Sequence, residues 1–402
     1  MHIKLLTPPL GIKLNIGTIR ILSMYDIIDT YLKVFYPNVD IEKYFIFVYY
    51  SLKGLEEGKA LGISYDEYIE KELKSTLENI KKFGIFLHTY QIYNENCESF
   101  KKFVRDFVDE LYSHDKILYS LQENKYYLKI SQEDKENAIK SLNKDELLVL
   151  PEKKKNRLIQ KLYEAPNKIF FADKKEIGIP IEVDPEYKLN QRIVNSLWPL
   201  FFYVSTEPKN EKVVYYNLSA YDIETKYLIP FLLLKTYFSH LSQENKNLIF
   251  YISSVILNQN NKKLSKYRQE DKKNIDYLLS KYGYDIFRFG LTIFSWYKDE
   301  TLKEKYFKES YKLKQKIKNE IIFFKKNNLE NINPEKRLSN VQELDIILKK
   351  SPNYIINDII NKVYQISYQE IPNYKLNKNK NIERWYIFLI YMYKLFNYEI
   401  NE

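Results

Sequence analysis

Only one cysteine, Cys97, occurs in the 402 residues, which excludes a disulfide framework and any zinc knuckle built on cysteine. Histidine is nearly as scarce. His2, His88, His114 and His240 are scattered without metal-ligand spacing, so the expectation is no zinc and no metal site. Long hydrophobic runs are missing too: the longest uncharged stretches, such as 193–206, are about 14 residues, too short to span a bilayer. The first residues carry no signal-peptide apolar core, and a soluble, cytoplasmic protein is expected.

What is present points to a folded chain with a large core. Hydrophobic residues make up 45% and aromatics 16%, which excludes disorder, and the length suits two or three structural units. The formal charge is +10. It permits a polyanionic partner such as tRNA, and most of the excess is C-terminal: from Thr301 onward 19 Lys and Arg stand against 12 Asp and Glu, a difference of +7.

The apolar pattern alternates between strand and helix. His2 to Leu6 reads as a strand, followed by a helix whose apolar positions Ile21, Tyr25, Ile28 and Leu32 recur in steps of four, three and four. Tyr44 to Tyr50 is a continuous apolar run suited to a buried parallel strand, Ser64 to Lys82 a helix, and Phe83 to His88 another strand. This βαβα order predicts an α/β fold with a Rossmann-like, doubly wound parallel sheet. From 94 to 175 the pattern turns to charged helices, with Phe100, Phe103, Phe107 and Leu111 on one face, so the sheet is expected to be split by a helical insertion without zinc. The expected divisions are 1–93 and 176–285 for the two halves of the sheet domain, 94–175 for the insertion, and 286–402 for a C-terminal α-helical domain with a stripe at Leu313, Ile317, Ile321 and Phe324.

Two stretches carry the chemistry. Thr7 to Arg20 is a strand end, a glycine-containing loop and a helix start, a place where unpaired N–H groups and the helix dipole favour a phosphate. Asn261 to Arg268 sets Lys263 and Lys266 on a polar loop between an apolar strand and a helix. Activation of a carboxylate by ATP shifts charge onto phosphoryl oxygens as pyrophosphate leaves, so catalysis rests on alignment and on donors and cations placed at those oxygens. Two loop lysines can follow the pyrophosphate, and Gly17 lets backbone approach the nucleotide. The bland readings are a helix cap for Asn15 and Thr18 and a solvated surface loop for the lysines.

In their order these stretches resemble the class I aminoacyl-tRNA synthetases. Thr7-Pro8-Pro9 with Leu14-Asn15-Ile16-Gly17-Thr18 is similar to the first signature of the class, which ends in His-Ile-Gly-His, and Lys263-Leu264-Ser265-Lys266-Tyr267 to the second, Lys-Met-Ser-Lys-Ser. Lys281 to Arg288 resembles the segment Tyr-Gly-x-Asp-x-x-Arg. Within the class the methionyl branch fits best, through Gly178 to Pro185, the uncharged helix ending Phe202-Tyr203-Val204-Ser205, and Ser253-Ser254; the leucyl and valyl types come second.

The resemblance implies amino acid activation with ATP and Mg2+, and transfer to tRNA or another acceptor. Carried over position by position, it implies Asn15, Thr18, Lys263 and Lys266 as catalytic; Pro8, Pro9, Gly17, Asp222 and Ser265 as ATP-binding; and Leu6, Ser196, Tyr203 and Tyr227 as the substrate pocket. The departures are specific. Asn15 and Thr18 replace both signature histidines, and Phe47 to Ser51 has no acid where the family holds the substrate ammonium. The C-terminal part is short for an anticodon-binding domain. A non-catalytic paralogue acting as an RNA- or protein-binding regulator is the alternative, followed by a purely structural subunit.

Overall fold

The computed structural model describes residues 1–11, 13–85, 87–143, 147–205, 212–219, 228–237, 246–265, 268–326, 352–365, 389–390 and 393. In chain order the elements are β1 (His2–Leu6), β2 (Leu10–Gly11), α1 (Ile16–Phe35), β3 (Asp40–Val48), α2 (Leu52–Leu61), α3 (Tyr65–Lys82), β4 (Tyr90–Asn94), α4 (Glu98–Ser113), β5 (Ile117–Ser120), β6 (Lys125–Lys129), α5 (Gln132–Ser141), β7 (Leu147–Leu150), α6 (Glu152–Tyr163) and β8 (Lys168–Lys174). There follow β9 (Pro180–Ile181), β10 (Asp184–Leu189), α7 (Gln191–Ser205), β11 (Val213–Ser219), α8 (Ile229–Lys235), β12 (Lys246–Ile252), β13 (Ile256–Leu257), α9 (Gln269–Ile293, broken at Gly283), β14 (Glu300–Thr301), α10 (Glu304–Lys326) and α11 (Pro352–Gln365).

The main sheet is seven-stranded and parallel throughout, in the spatial order β4, β3, β1, β11, β12, β7, with β2 continuing the line of β1 beside the end of β3. Its strands are buried on both faces, and their alternation divides two cores. Ile3, Leu5, Phe45, Phe47, Tyr216, Leu218, Ile249 and Tyr251 pack under α1, α9 and α10. Leu6, Tyr44, Ile46, Tyr215, Leu248 and Phe250 pack under α4, α7 and α8. Continuous apolar runs in the sequence thus become period-two strands serving both cores. The strand order reverses between β1 and β11, because the chain leaves β1 toward β3 and returns at β11.

Two expectations are corrected. Of the expected strand 83–88, the described residues 83–85, 87 and 88 form none. Gly84, at φ +66°, ends α3 in a turn closed by bonds from Phe83 N to Ile80 O (3.0 Å) and Gly84 N to Lys81 O (2.8 Å), and the strand begins at Tyr90. Phe83 and Ile85 are apolar because that turn lies in the core. The segment 94–175 is also more than helical. Alongside α4, α5 and α6 it holds β5, β6 and β8, which join β10 and β9 in an antiparallel five-stranded sheet reaching Leu189, and β7, which pairs with β12 in the main sheet.

On α10, Leu313, Ile317 and Ile321 are buried as the stripe requires; the side chain of Phe324 lies outside the description. No helix among the described residues is long and apolar enough to cross a membrane.

Candidate functional site

Because every main-sheet strand points the same way, their carboxyl ends share one edge. Open α/β sheets bind ligands at that edge, where the strand order reverses. Here the crevice lies between β1 and β11. Beyond the last pair, Leu6 with Asn217, the two strands part and the Tyr25 hydroxyl of α1 fills the gap, donating to Leu6 O (2.5 Å) and accepting from Leu218 N (2.8 Å). Burial raises its pKa, so it stays a neutral bridge.

The cradle above is built from β1 and α1. Thr7 Oγ accepts from Ile46 N (2.8 Å), fixing the chain where Pro8 and Pro9 offer no N–H. Asn15 is the helix cap: its backbone is extended and its Oδ1 accepts from Thr18 N (3.0 Å). A β-carbon on Gly17 would stand 3.0 Å from that same oxygen, so glycine clears the cap as well as the approach. The first turn holds no acid, which leaves the positive end of the helix uncompensated. Thr18 is 3% exposed, and its hydroxyl has no hydrogen-bond partner among the described residues.

The lysine loop leaves the carboxyl end of β12, where Ser253 N donates to Ser219 O (2.7 Å). Asp271, in the first turn of α9, holds it by accepting from Ser265 N (2.8 Å) and Asn258 Nδ2 (3.0 Å), with Arg268 Nε at 3.1 Å. Asn258 in turn accepts from Asn260 N and Lys262 N, both at 3.0 Å. Lys263 forms a single antiparallel bridge with Leu257, so its backbone is fixed at the foot of the loop.

Arg20 joins the two stretches. Its guanidinium, buried in α1, donates to Ser254 O (3.3 Å), Phe294 O (3.0 Å) and Ser295 O (2.7 Å) and stacks on Trp296 at 4.1 Å. Burial, opposed by Glu300, lowers its pKa to about 9, which leaves it charged at neutral pH. The cradle helix is therefore tied to the first residues of the lysine loop.

At the end of β3 the corner Tyr49–Ser51 is held by side chains. Tyr65 donates to Tyr49 O and accepts from Ser51 N (2.8 Å). Glu95, which follows β4, accepts from Tyr49 N, from Tyr50 N (3.0 Å) and from Gln191 Nε2 at the start of α7. Its carboxyl is fully buried, and burial pushes its pKa up to about 7 against those three donors.

Of the expected site residues, Pro8, Pro9, Asn15, Gly17 and Thr18 meet at the cradle, and Lys263 and Ser265 lie on the loop tied to the same edge. Lys266, Asp222 and Tyr227 fall outside the described residues. Leu6 is buried in the core under α7, and Ser196, on α7 itself, is buried and gives its hydroxyl to Ile193 O (2.6 Å). Tyr203 lies toward the opposite edge of the sheet: its carbonyl accepts from Lys246 Nζ (2.8 Å), on the first residue of β12. Arg288, in the segment similar to Tyr-Gly-x-Asp-x-x-Arg, is fully buried and donates to Phe83 O (2.8 Å) and Gly84 O (2.6 Å); Asp285 pairs with Lys314 (2.5 Å). Both are braces between α9 and its neighbours.

Arg20, Tyr25, Glu95, Asn258 and Asp271 escape a reading by motif. For α1 a signal exists: Arg20, Asp26 and Asp29 interrupt an otherwise apolar helix, which marks charges that must be held inside.

The doubly wound sheet, its split by a segment with its own small sheet, and the helices that follow form a class I aminoacyl-tRNA synthetase-like fold. Among solved structures the chain is similar to methionyl-tRNA synthetase of Mycobacterium tuberculosis bound by methionyl-adenylate, with a TM-score of 0.68 at 10% identity over 98% of this chain and 89% of that one. A second structure of the Mycobacterium tuberculosis enzyme in complex with methionyl-adenylate gives 0.65 at 10% identity with the same coverage. No protein-family model matches the sequence, and no curated protein does. The likeness is one of fold.

Proposed function

We propose that the chain activates an amino acid with ATP, forming an aminoacyl-adenylate, and passes it to tRNA or another acceptor. The observation that carries this is the union of the two stretches at one sheet edge. The uncompensated start of α1, with the unpartnered Thr18 hydroxyl, is joined through Arg20 to the loop of Lys263 and Lys266. In this reading the N–H groups of α1 and Thr18 hold phosphoryl oxygens, the loop lysines follow pyrophosphate, and Asp271 keeps the loop's foot in place. Pro8, Pro9, Gly17, Ser265 and Asp222 border the nucleotide, and Leu6, Ser196 and Tyr227 remain proposals for the amino acid side; Tyr203, toward the opposite edge of the sheet, is withdrawn from it. The insertion is taken to run on to Leu189, because β9 and β10 complete the sheet that β5 begins. tRNA is proposed to dock on the basic chain beyond Thr301.

One observation favours the non-catalytic alternative. Asn15 uses its side-chain oxygen on its own helix, where the class carries a histidine free to act. ATP–pyrophosphate exchange over the twenty standard amino acids, with calorimetry of ATP binding, separates the two. Exchange with at least one amino acid is expected; ATP binding without exchange supports the regulator, and neither would sink the synthetase reading.

A further inference from the structure

Six carboxylates among the described residues are buried, and five of them face a cation. Asp26 and Asp29 share Lys43, Asp134 meets Lys116, Asp271 meets Arg268, and Glu320 meets Lys316. Glu95 meets none. It is the most buried of the six, at 0% exposure, and its three donors are neutral amides that orient the group without cancelling its charge. An ionised carboxylate withdrawn from water needs a cation, and one that lacks it marks a place where the ligand brings it.

Its position narrows the cation. Glu95 follows β4 at the carboxyl edge of the sheet, one strand beyond β3 and two from β1, so it lies about 10 Å along the edge from the cradle. The carboxyl group reaches back to the Tyr49 and Tyr50 amides at the end of β3, the strand between β4 and β1. A carboxylate offers about four acceptor positions, and three are used here. The fourth belongs to Oε1, which among the described residues accepts from the half-buried Gln191; that amide also donates to Asn195 Oδ1 (3.0 Å), a further acceptor at the start of α7. The end of β3 itself, Phe47 to Ser51, has no acid.

We propose that Glu95 is the counter-ion for the α-ammonium group of the amino acid that is activated. This rests on the adenylation reading above. The ammonium takes the open acceptor of Oε1, Asn195 Oδ1 supplies a second, and the Tyr49–Tyr50 amides hold the carboxylate toward the cradle. The substrate's own carboxylate is then left facing the phosphate held at α1. Burial lifts Glu95 to about 7 in the absence of a cation, as expected of a group whose partner arrives with the substrate.

The test is calorimetry at pH 8 on the full chain in the presence of adenosine 5′-(α,β-methylene)triphosphate, with each standard amino acid beside its des-amino carboxylic acid. Wild type should bind at least one amino acid, its des-amino counterpart at least tenfold more weakly. Glu95→Gln, which keeps an acceptor for both backbone amides, should bind that amino acid at least tenfold more weakly, lose the preference over the des-amino acid, bind the nucleotide as before, and melt no lower than wild type. A residue serving only the corner would instead lower the melting temperature and leave the preference intact. Unchanged amino acid affinity in Glu95→Gln, or equal binding of the des-amino acid to wild type, overturns the assignment. Nucleotide binding without any amino acid overturns it and leaves the nucleotide site standing; binding of neither overturns both. Should Glu95→Gln fail to fold, Gln191→Lys sets a fixed ammonium against the same carboxylate. It should weaken amino acid binding at least tenfold with nucleotide binding intact, and unchanged amino acid binding contradicts the proposal.

Discussion

Two buried acidic groups on the same sheet have opposite surroundings. Beneath the sheet, Asp26 and Asp29 of α1 lie either side of Lys43, both at 3.1 Å; Tyr90 donates to Asp26 (3.0 Å), Arg288 stands 3.8 Å from Asp26, and Lys33 meets Asp29 at 2.9 Å. At the carboxyl edge, Glu95 has only amides among the described residues. The first network pairs each acid with a cation, although Asp26 Oδ2 and Asp29 Oδ1 accept no hydrogen bond among the described residues, and it fixes α1 and α9 against the sheet. The second is open, and an open charge in a core is a cost that stability alone does not explain. Thr18 repeats the lesson on a smaller scale, a buried hydroxyl at the same edge without a partner among the described residues.

The largest effect should come from opening the paired network. Lys43→Met removes the cation between two buried carboxylates and should cost about 3–5 kcal/mol, read by urea unfolding. A loss below about 1 kcal/mol would show that water or nearby bases already compensate the acids.

Next is the reverse experiment. The Glu95 carboxyl, moved from 4.5 to about 7, disfavours the ionised folded state by roughly 3 kcal/mol. Its folded pKa lies above its unfolded value, so the folded state binds more protons between pH 4.5 and 7 and loses stability as pH rises through that window. Glu95→Gln should therefore raise stability at pH 8 by about 2–3 kcal/mol, with the gain shrinking below pH 7 and gone by about 4.5. A destabilised Glu95→Gln at pH 8 would erase the contrast between the two sites.

The smallest of the three is Thr18→Val. Dropping an unpartnered buried hydroxyl should stabilise the fold by about 1 kcal/mol, seen as a higher thermal midpoint, while ATP affinity falls severalfold. Weaker folding with unchanged ATP binding would make Thr18 part of the helix start alone.

The paired regions also differ in how far the sequence reveals them. The βαβ opening is legible because Ile21, Tyr25, Ile28 and Leu32 keep helical phase and because 44–50 is long and apolar. The small sheet is not. Its strands are seven residues or shorter and mix lysine with tyrosine, as in Lys125–Lys129, which reads equally as a charged helix. Residues 83–88 have strand composition, yet the positive φ of Gly84 decides the outcome, and a single sequence does not show φ. The cradle could be placed from Asn15 and Thr18, since cap and phosphate site use the same residue types. Glu95 could not, because the backbone it grips lies 45 residues earlier and the amide that meets its other oxygen 96 residues later. Long-range partners made by the fold, and not the motif, define that end of the site.

The central claim is that the lysine loop and the α1 cradle act on one nucleotide. It is tested most directly by the ATP–pyrophosphate exchange rate of wild type beside Lys266→Ala, with the amino acid that gives the highest rate. The account predicts exchange in wild type and a loss of at least roughly tenfold in the variant, as expected for removal of a charge that stabilises the leaving pyrophosphate. Equal rates in the two proteins would contradict it.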